Sequence, residues 1–327
     1  MRYIDMHCDT LLHSLSDGEI WSREDSMLDV SRMVTAGQGA QFFAVFFPPL
    51  PDGTKHPPGM EPPLFPYDDD ELFRRATEIL FDAVAAHPDV IGFAFSAADI
   101  KRLNDERRCA AVLTIEDGRF VNGDMDKLRM LYNTGVRAMS LTWNHANCFG
   151  YPNSPDSAIM NSGLTGFGKD AVREMNDLGM LIDVSHLSDG GFRDIIELSK
   201  KPVSATHSNC RALCGHRRNL TDEMIRALAN KGGVSGLNFC PDFLTEDGLQ
   251  LCRIEDLCRH VLHFIAVGGE DCVGLGTDFD GITGTFEVGQ PSEMYMLFDA
   301  LGKKGLSERQ IEKFAYGNVL RLMSDVL

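Results

Sequence analysis

At 327 residues, with 43% apolar and 24% charged side chains, the chain is long enough to bury a large core without disulfides. Its formal net charge of −17 argues against nucleic acid or an anionic membrane as a partner. The nine cysteines, odd in number and without a CxxC pair, suit a reducing compartment. With no basic leader and no apolar run near the roughly 20 residues of a membrane helix, a soluble, cytoplasmic protein is expected.

A predicted strand at residues 2–7 opens the chain and ends on His7, with Asp9 just beyond. A second strand spans 40–47, and the proline-rich segment 48–67 reads as a long loop before a helix at 70–86. A short extra strand at 90–96 precedes the third main strand, 110–116, which ends on Glu116. After a helix at 125–133, a fourth strand at 136–143 runs into Trp143-Asn144-His145. A helix at 168–178 leads to a fifth strand, 180–186, ending on His186, and a helix at 189–198 to a sixth, 203–207, ending on His207. Thr221-Asp222-Glu223 starts a helix at 221–230, followed by a seventh strand at 233–239 and a helix at 254–267. The eighth strand, 273–278, ends on Asp278, and Ser307-Glu308-Arg309-Gln310 starts a last helix. Strands that alternate with helices imply a parallel sheet, since parallel neighbours need crossover connections. Eight of them imply an α/β fold of the closed (β/α)8, TIM-like barrel type, spanning 1–327 as one domain.

Chemistry on such a barrel gathers at the C-terminal ends of the strands, and there the histidines and acids collect. Of ten histidines, three end a predicted strand and a fourth, His145, lies just past one. Imidazole and carboxylate are the ligands of catalytic zinc, which keeps an open position for water. His7 and Asp9, two apart on an extended chain, point to the same side and suit one ion. His186 and His207, from adjacent strands, suit a second, and Glu116 is placed to bridge the two. Singly, each residue also has an ordinary use: Asp9 as a helix cap, His186 as a core histidine, Glu116 as a turn residue.

The stretches IDMHCDT, LTIEDG, SLTWNHAN, GLTGFGKDAVREMNDLGMLIDVSHLSD, PVSATHSNCRALCGHRRNLTDEMI, VGLGTDFDGI and YGNVLRLM span nearly the whole chain in order. In them the chain resembles the soluble microbial members of the membrane (renal) dipeptidase family of zinc metallopeptidases. The resemblance implies a β/α barrel that holds two zinc ions and hydrolyses dipeptides. It assigns one zinc to His7 and Asp9, the other to His186 and His207, and the bridge to Glu116. It gives Arg218 the substrate's terminal carboxylate and Asp278 the handling of protons, while Arg217 reads as a solvated charge. Tolerance of D-residues at the C-terminal position and a homodimer are further expectations of the resemblance.

Two departures from the family pattern bear on substrate range. Where the family has LTH after the fourth strand, this chain reads LTWNHAN. His145 is the substitute this reading favours for contact with the tetrahedral intermediate and the substrate, and Trp143 is the alternative. The NFY-like segment is Asn238-Phe239-Cys240, so a tyrosine hydroxyl is missing. Two other functions stay open: an amidohydrolase-like barrel acting on a lactone, cyclic amide or phosphoester, and a non-catalytic metal-binding scaffold.

Overall fold

The computed structural model describes residues 1–48 and 67–327, so residues 49–66 of the expected proline-rich loop lie outside it. The strands are β1 (Ile4–Cys8), β2 (Ala40–Phe46), β3 (Ile91–Phe93), β4 (Cys109–Glu116), β5 (Val136–Ser140), β6 (Leu181–Asp183), β7 (Ser204–Ala205), β8 (Val234–Leu237), β9 (Leu251–Cys252), β10 (Val273–Leu275) and β11 (Thr285–Phe286). Around the main sheet the order is β2-β1-β10-β8-β7-β6-β5-β4-β3, and a further pairing of β2 with β4 closes it. Every pairing is parallel, and the closing seam runs unbroken from Ala40 opposite Ala110 to Phe46 opposite Glu116. Eight strands form the barrel. The ninth, β3, was the extra strand expected from the sequence, and it pairs with the N-terminal end of β4 only.

The strands are hydrophobic on both faces because both are covered. Ile4, Met6, Ala40, Phe42, Ala110, Val112, Ala138, Leu181 and Val234 pack as an interior cluster. The helix Asn318–Val326 plugs that cluster at the strand starts with Val319, Leu322 and Met323. Alternate residues such as Phe43, Val45, Leu113 and Ile115 belong instead to the larger core shared with the surrounding helices. No helix among the described residues is long and apolar enough to cross a membrane.

The helices lie within a residue or two of their predicted spans, at Asp69–Ala86, Met125–Thr134, Gly166–Leu178, Asp189–Leu198, Asp222–Asn230 and Ile254–Gly268. Thr221 accepts from the N–H of Met224, and Ser307 forms a reciprocal capping box with Gln310. The strands are shorter than expected at their C-terminal ends: those predicted to 143, 186, 207, 239 and 278 stop at Ser140, Asp183, Ala205, Leu237 and Leu275. In four of the five, buried side chains cause the shortening by taking backbone N–H groups out of the ladder; after Ser140, Asn147 Nδ2 instead donates to the carbonyl of Leu141. Asp183 Oδ1 accepts from the N–H of Ser185 and of Thr206, Asn209 from that of Asn238, and Asp5 from that of Thr277. The released residues form the mouth of the barrel.

Candidate metal centre and cavity

His7, Asp9, Glu116, His186, His207 and Asp278 meet at that mouth, and all six are buried. Asp9 stands at the start of the helix Thr10–Ser14, yet its side chain makes no capping hydrogen bond. It points instead to His7, whose Nε2 lies 3.3 Å from Asp9 Oδ2, 3.6 Å from Glu116 Oε2 and 3.7 Å from Asp278 Oδ1. The other oxygen of Glu116, Oε1, lies 2.9 Å from His186 Nε2 and 3.4 Å from His207 Nε2. Glu116 therefore turns one oxygen to each of two groups of donors. Ligand atoms of His7, Glu116 and His207, and of His7, Asp9 and Asp278, fall within 4.8 Å of one another.

Residues outside the cluster fix the imidazoles. Thr206 donates its hydroxyl to Asp183 Oδ2 at 2.6 Å, which leaves its oxygen to accept from His207 Nδ1 at 2.8 Å. The Nε2 of His207 is then an unprotonated donor aimed at Glu116, the role of a carboxylate-backed metal ligand. His186 is held likewise through Nδ1, 3.3 Å from Asn144 Oδ1. Asp278 Oδ2 accepts from Asn238 Nδ2 at 2.8 Å, so Oδ1 alone faces His7. His186 and Asp278 both sit at left-handed backbone angles, φ 67° and 65°.

The electrostatics follow from this crowding. Burial pushes the Glu116 carboxyl up to about 8, and Asp9 adds to the push. Burial also raises Asp278 to about 6. It drives His186 and His207 well below the ordinary histidine range and so keeps them neutral. Burial opposes charge on His7 too, but there Asp9 and Glu116 prevail and its pKa rises well above the usual value. Three carboxylates around one ring demand positive charge. Buried His7 Nε2 and Asp9 Oδ1 have no hydrogen-bond partner. Two orphaned atoms beside carboxylates and the neutral imidazoles of His186 and His207 fit a pair of divalent cations, whose charge would replace the proton that the acids draw onto His7.

A cavity of about 560 Å³ opens over the cluster. Phe46, Trp143, Leu12 and Ile282 form its apolar side, and His216, Arg217, Arg218, Cys240 and Phe243 the opposite wall. Arg218 is buried, with Nη2 3.2 Å from the carbonyl of His207 and Nη1 3.4 Å from Ser208 Oγ. Its Nε has no hydrogen-bond partner, and among the described residues no carboxylate forms an ion pair with it. Trp143 and Asn144 line the cavity formed by the described residues. His145 does not: it is half-buried, its ring 6.2 Å from that of Trp143. The sequence reading overlooked Asp183, Thr206, Asn238 and Asn144. Asp183 alone carried a signal, as an acid inside the apolar run LIDVSH, where a charge is costly unless hydrogen-bonded.

A sequence model of the membrane dipeptidase family, peptidase family M19, matches residues 1–327. An uncharacterized protein from the pqqA 5′ region of Klebsiella pneumoniae is 36% identical over 269 residues, or 80% of this chain and 98% of that protein. Among solved structures, the metallopeptidase dipeptidase AC superposes with a TM-score of 0.89 at 29% identity, covering 100% of this chain and 98% of its own. A metallopeptidase from Rhodobacter sphaeroides, liganded with a phosphinate mimic of the dipeptide L-Ala-D-Ala, gives 0.88 at 28% identity, covering 100% and 99%.

Proposed function

This chain belongs to the membrane dipeptidase family, and from that premise we propose that it is a two-zinc dipeptidase acting on dipeptides with a free C-terminal carboxylate. His7 and Asp9 would hold one ion, His186 and His207 the other, and Glu116 both. Bound there, the ions supply Lewis acidity, which activates a water and polarises the scissile carbonyl. The remaining work falls to the chain itself. Asp278 Oδ1, left free by the Asn238 bond to Oδ2, takes the proton from the attacking water and returns it to the leaving amine.

Arg218 carries the substrate assignment. A buried guanidinium with no carboxylate of its own is ready for one from outside, and a C-terminal carboxylate fits it bidentately. Grip through that carboxylate, and not through the side chain, makes room for a D-residue at the C-terminal position. The phosphinate-bound relative, whose ligand mimics L-Ala-D-Ala, supports the same breadth. Trp143 and Asn144, which line the cavity, are better supported than His145 as the substrate-facing residues of the 143–145 turn.

The test pairs Arg218→Met with amidation of the substrate's C-terminus. Each alone should lower kcat/KM by roughly 30- to 1000-fold, the loss of one charge-assisted contact in a partly desolvated site. Together they should cost little more than either, because each removes the other's partner. Losses that multiply, or an amidated dipeptide cleaved as fast as the free acid, would place the carboxylate elsewhere.

A further inference from the structure

Arg217 lines the same cavity as Arg218, but it is exposed where Arg218 is buried. Its side chain makes no hydrogen bond or ion pair among the described residues. The side chains of Arg2 and Arg107 are likewise unpaired among the described residues, but of the three only Arg217 lines the cavity. The neighbouring acids are taken: Asp189 holds Arg211 at 2.8 Å, and Glu246 accepts from the N–H of Gly215 at 2.8 Å. The acids that line the cavity are taken as well. Asp9, Glu116 and Asp278 belong to the metal centre, and Asp280 accepts from Thr10 Oγ1 and from the N–H of Met27. His216, its ring 4.6 Å from that of Phe243, stays neutral: burial and then Arg217 and Arg218 lower its pKa to about 4. The positive charge here is thus two guanidiniums at two depths.

We propose that Arg217 is an outer anion subsite, and that the preferred substrates are dipeptides whose C-terminal residue is acidic, aspartate or glutamate. The inference rests on Arg218 holding the α-carboxylate. With that group anchored at the inner guanidinium, the leaving residue's side chain extends along the wall toward the mouth, where Arg217 stands. A neutral side chain leaves Arg217 solvated and loses nothing. An acidic one adds a second charge-assisted contact, modest because it is exposed to water.

The experiment compares kcat/KM for Ala-Asp with its isostere Ala-Asn, and for Ala-Glu with Ala-Gln, in the zinc-loaded wild type, Arg217→Met and Arg217→Lys. The expected acid-to-amide ratio is roughly 3 to 5 in the wild type, about 1 in Arg217→Met, and intermediate in Arg217→Lys. A ratio within one enzyme cancels any general damage to its fold. In the wild type it should also shrink as ionic strength rises from about 0.05 to about 0.5 M, since an exposed pair is screened. Equal cleavage of acid and amide by the wild type, or a preference that survives Arg217→Met, overturns the outer subsite. If amidated substrates are still rejected in that case, the Arg218 reading stands and the second subsite alone has failed. Absence of turnover on every dipeptide overturns both.

Discussion

One methyl group is enough to test how closely the mouth of the barrel is built. A β-carbon at Gly281 would lie 2.0 Å from Asp9 Oδ2 and 2.6 Å from Asp278 Oδ1, far inside contact distance. The backbone there cannot retreat easily, because the N–H of Gly281 donates to the carbonyl of Asp278 at 3.0 Å. Gly281→Ala should therefore push two carboxylates out of place while the barrel folds as before. Bound zinc per chain, measured after dialysis, should fall by about half or more with an unchanged circular dichroism spectrum. Full zinc occupancy in the variant would show that Asp9 needs no such fit. His7, Asp9 and Glu116 could be read from the sequence because a barrel places strand-end residues together. Gly281 could not, since nothing in the text DFDGI tells which atoms a glycine must avoid.

At the scale of elements, the helices were legible because their period of 3.6 is written in the residues, and caps such as Thr221 and Ser307 mark their starts. Strand ends were not, because they depend on acceptors distant in sequence: Asp5 stops the strand before Thr277, 272 residues away. The helix Ile254–Gly268 shows a further tie of this kind. Its His260 accepts from the N–H of Cys210 through Nδ1 at 3.1 Å and lies 3.0 Å from the carbonyl of Leu244 through Nε2, pinning the loops after β7 and β8. Only the neutral ring fits, since a proton on Nδ1 would face the Cys210 N–H. Burial accordingly lowers the His260 pKa to about 4 from 6.5. Below pH 6.5 the unfolded chain takes up a proton that the folded one refuses, so stability present at pH 7 is lost as the pH falls toward 4. The loss should reach roughly 3 kcal/mol. Urea denaturation at pH 7 and pH 4.5 would measure it, and His260→Gln should flatten that part of the profile. An identical slope in the variant would assign the loss to other groups.

For the molecule as a whole, closure of β2 onto β4 carries Glu116 to the side of β1, and so brings candidate ligands from the two ends of the sheet into one cluster. Three buried acids there repel one another unless cations lie between them. Chelation should therefore lower the Tm of the intact protein as well as its activity. Binding at about a thousand times the dissociation constant contributes roughly 4 kcal/mol, which corresponds to roughly 5–10 °C for a chain of this size. Added Zn²⁺ should restore both Tm and turnover. A melting curve indifferent to chelator would mean that the acids are held apart by protonation alone.

The left-handed backbone at His186 and Asp278 reaches beyond the reaction to the protein's durability. Such angles at residues other than glycine cost of order 1–3 kcal/mol each and persist only where the surroundings impose them. Glycine would adopt them freely, and at position 278 it would also delete a buried carboxylate. Metal-free Asp278→Gly should unfold at a higher denaturant concentration than the metal-free parent, by roughly 1 kcal/mol, while cleaving no dipeptide. A lower midpoint would mean that the Asn238 contact outweighs the relief. If the midpoint rises, hardening this enzyme against heat is a matter for the helices and the closed end of the barrel. A search that scores survival alone would be drawn to the mouth first, and would return sturdy proteins with nothing left to catalyse.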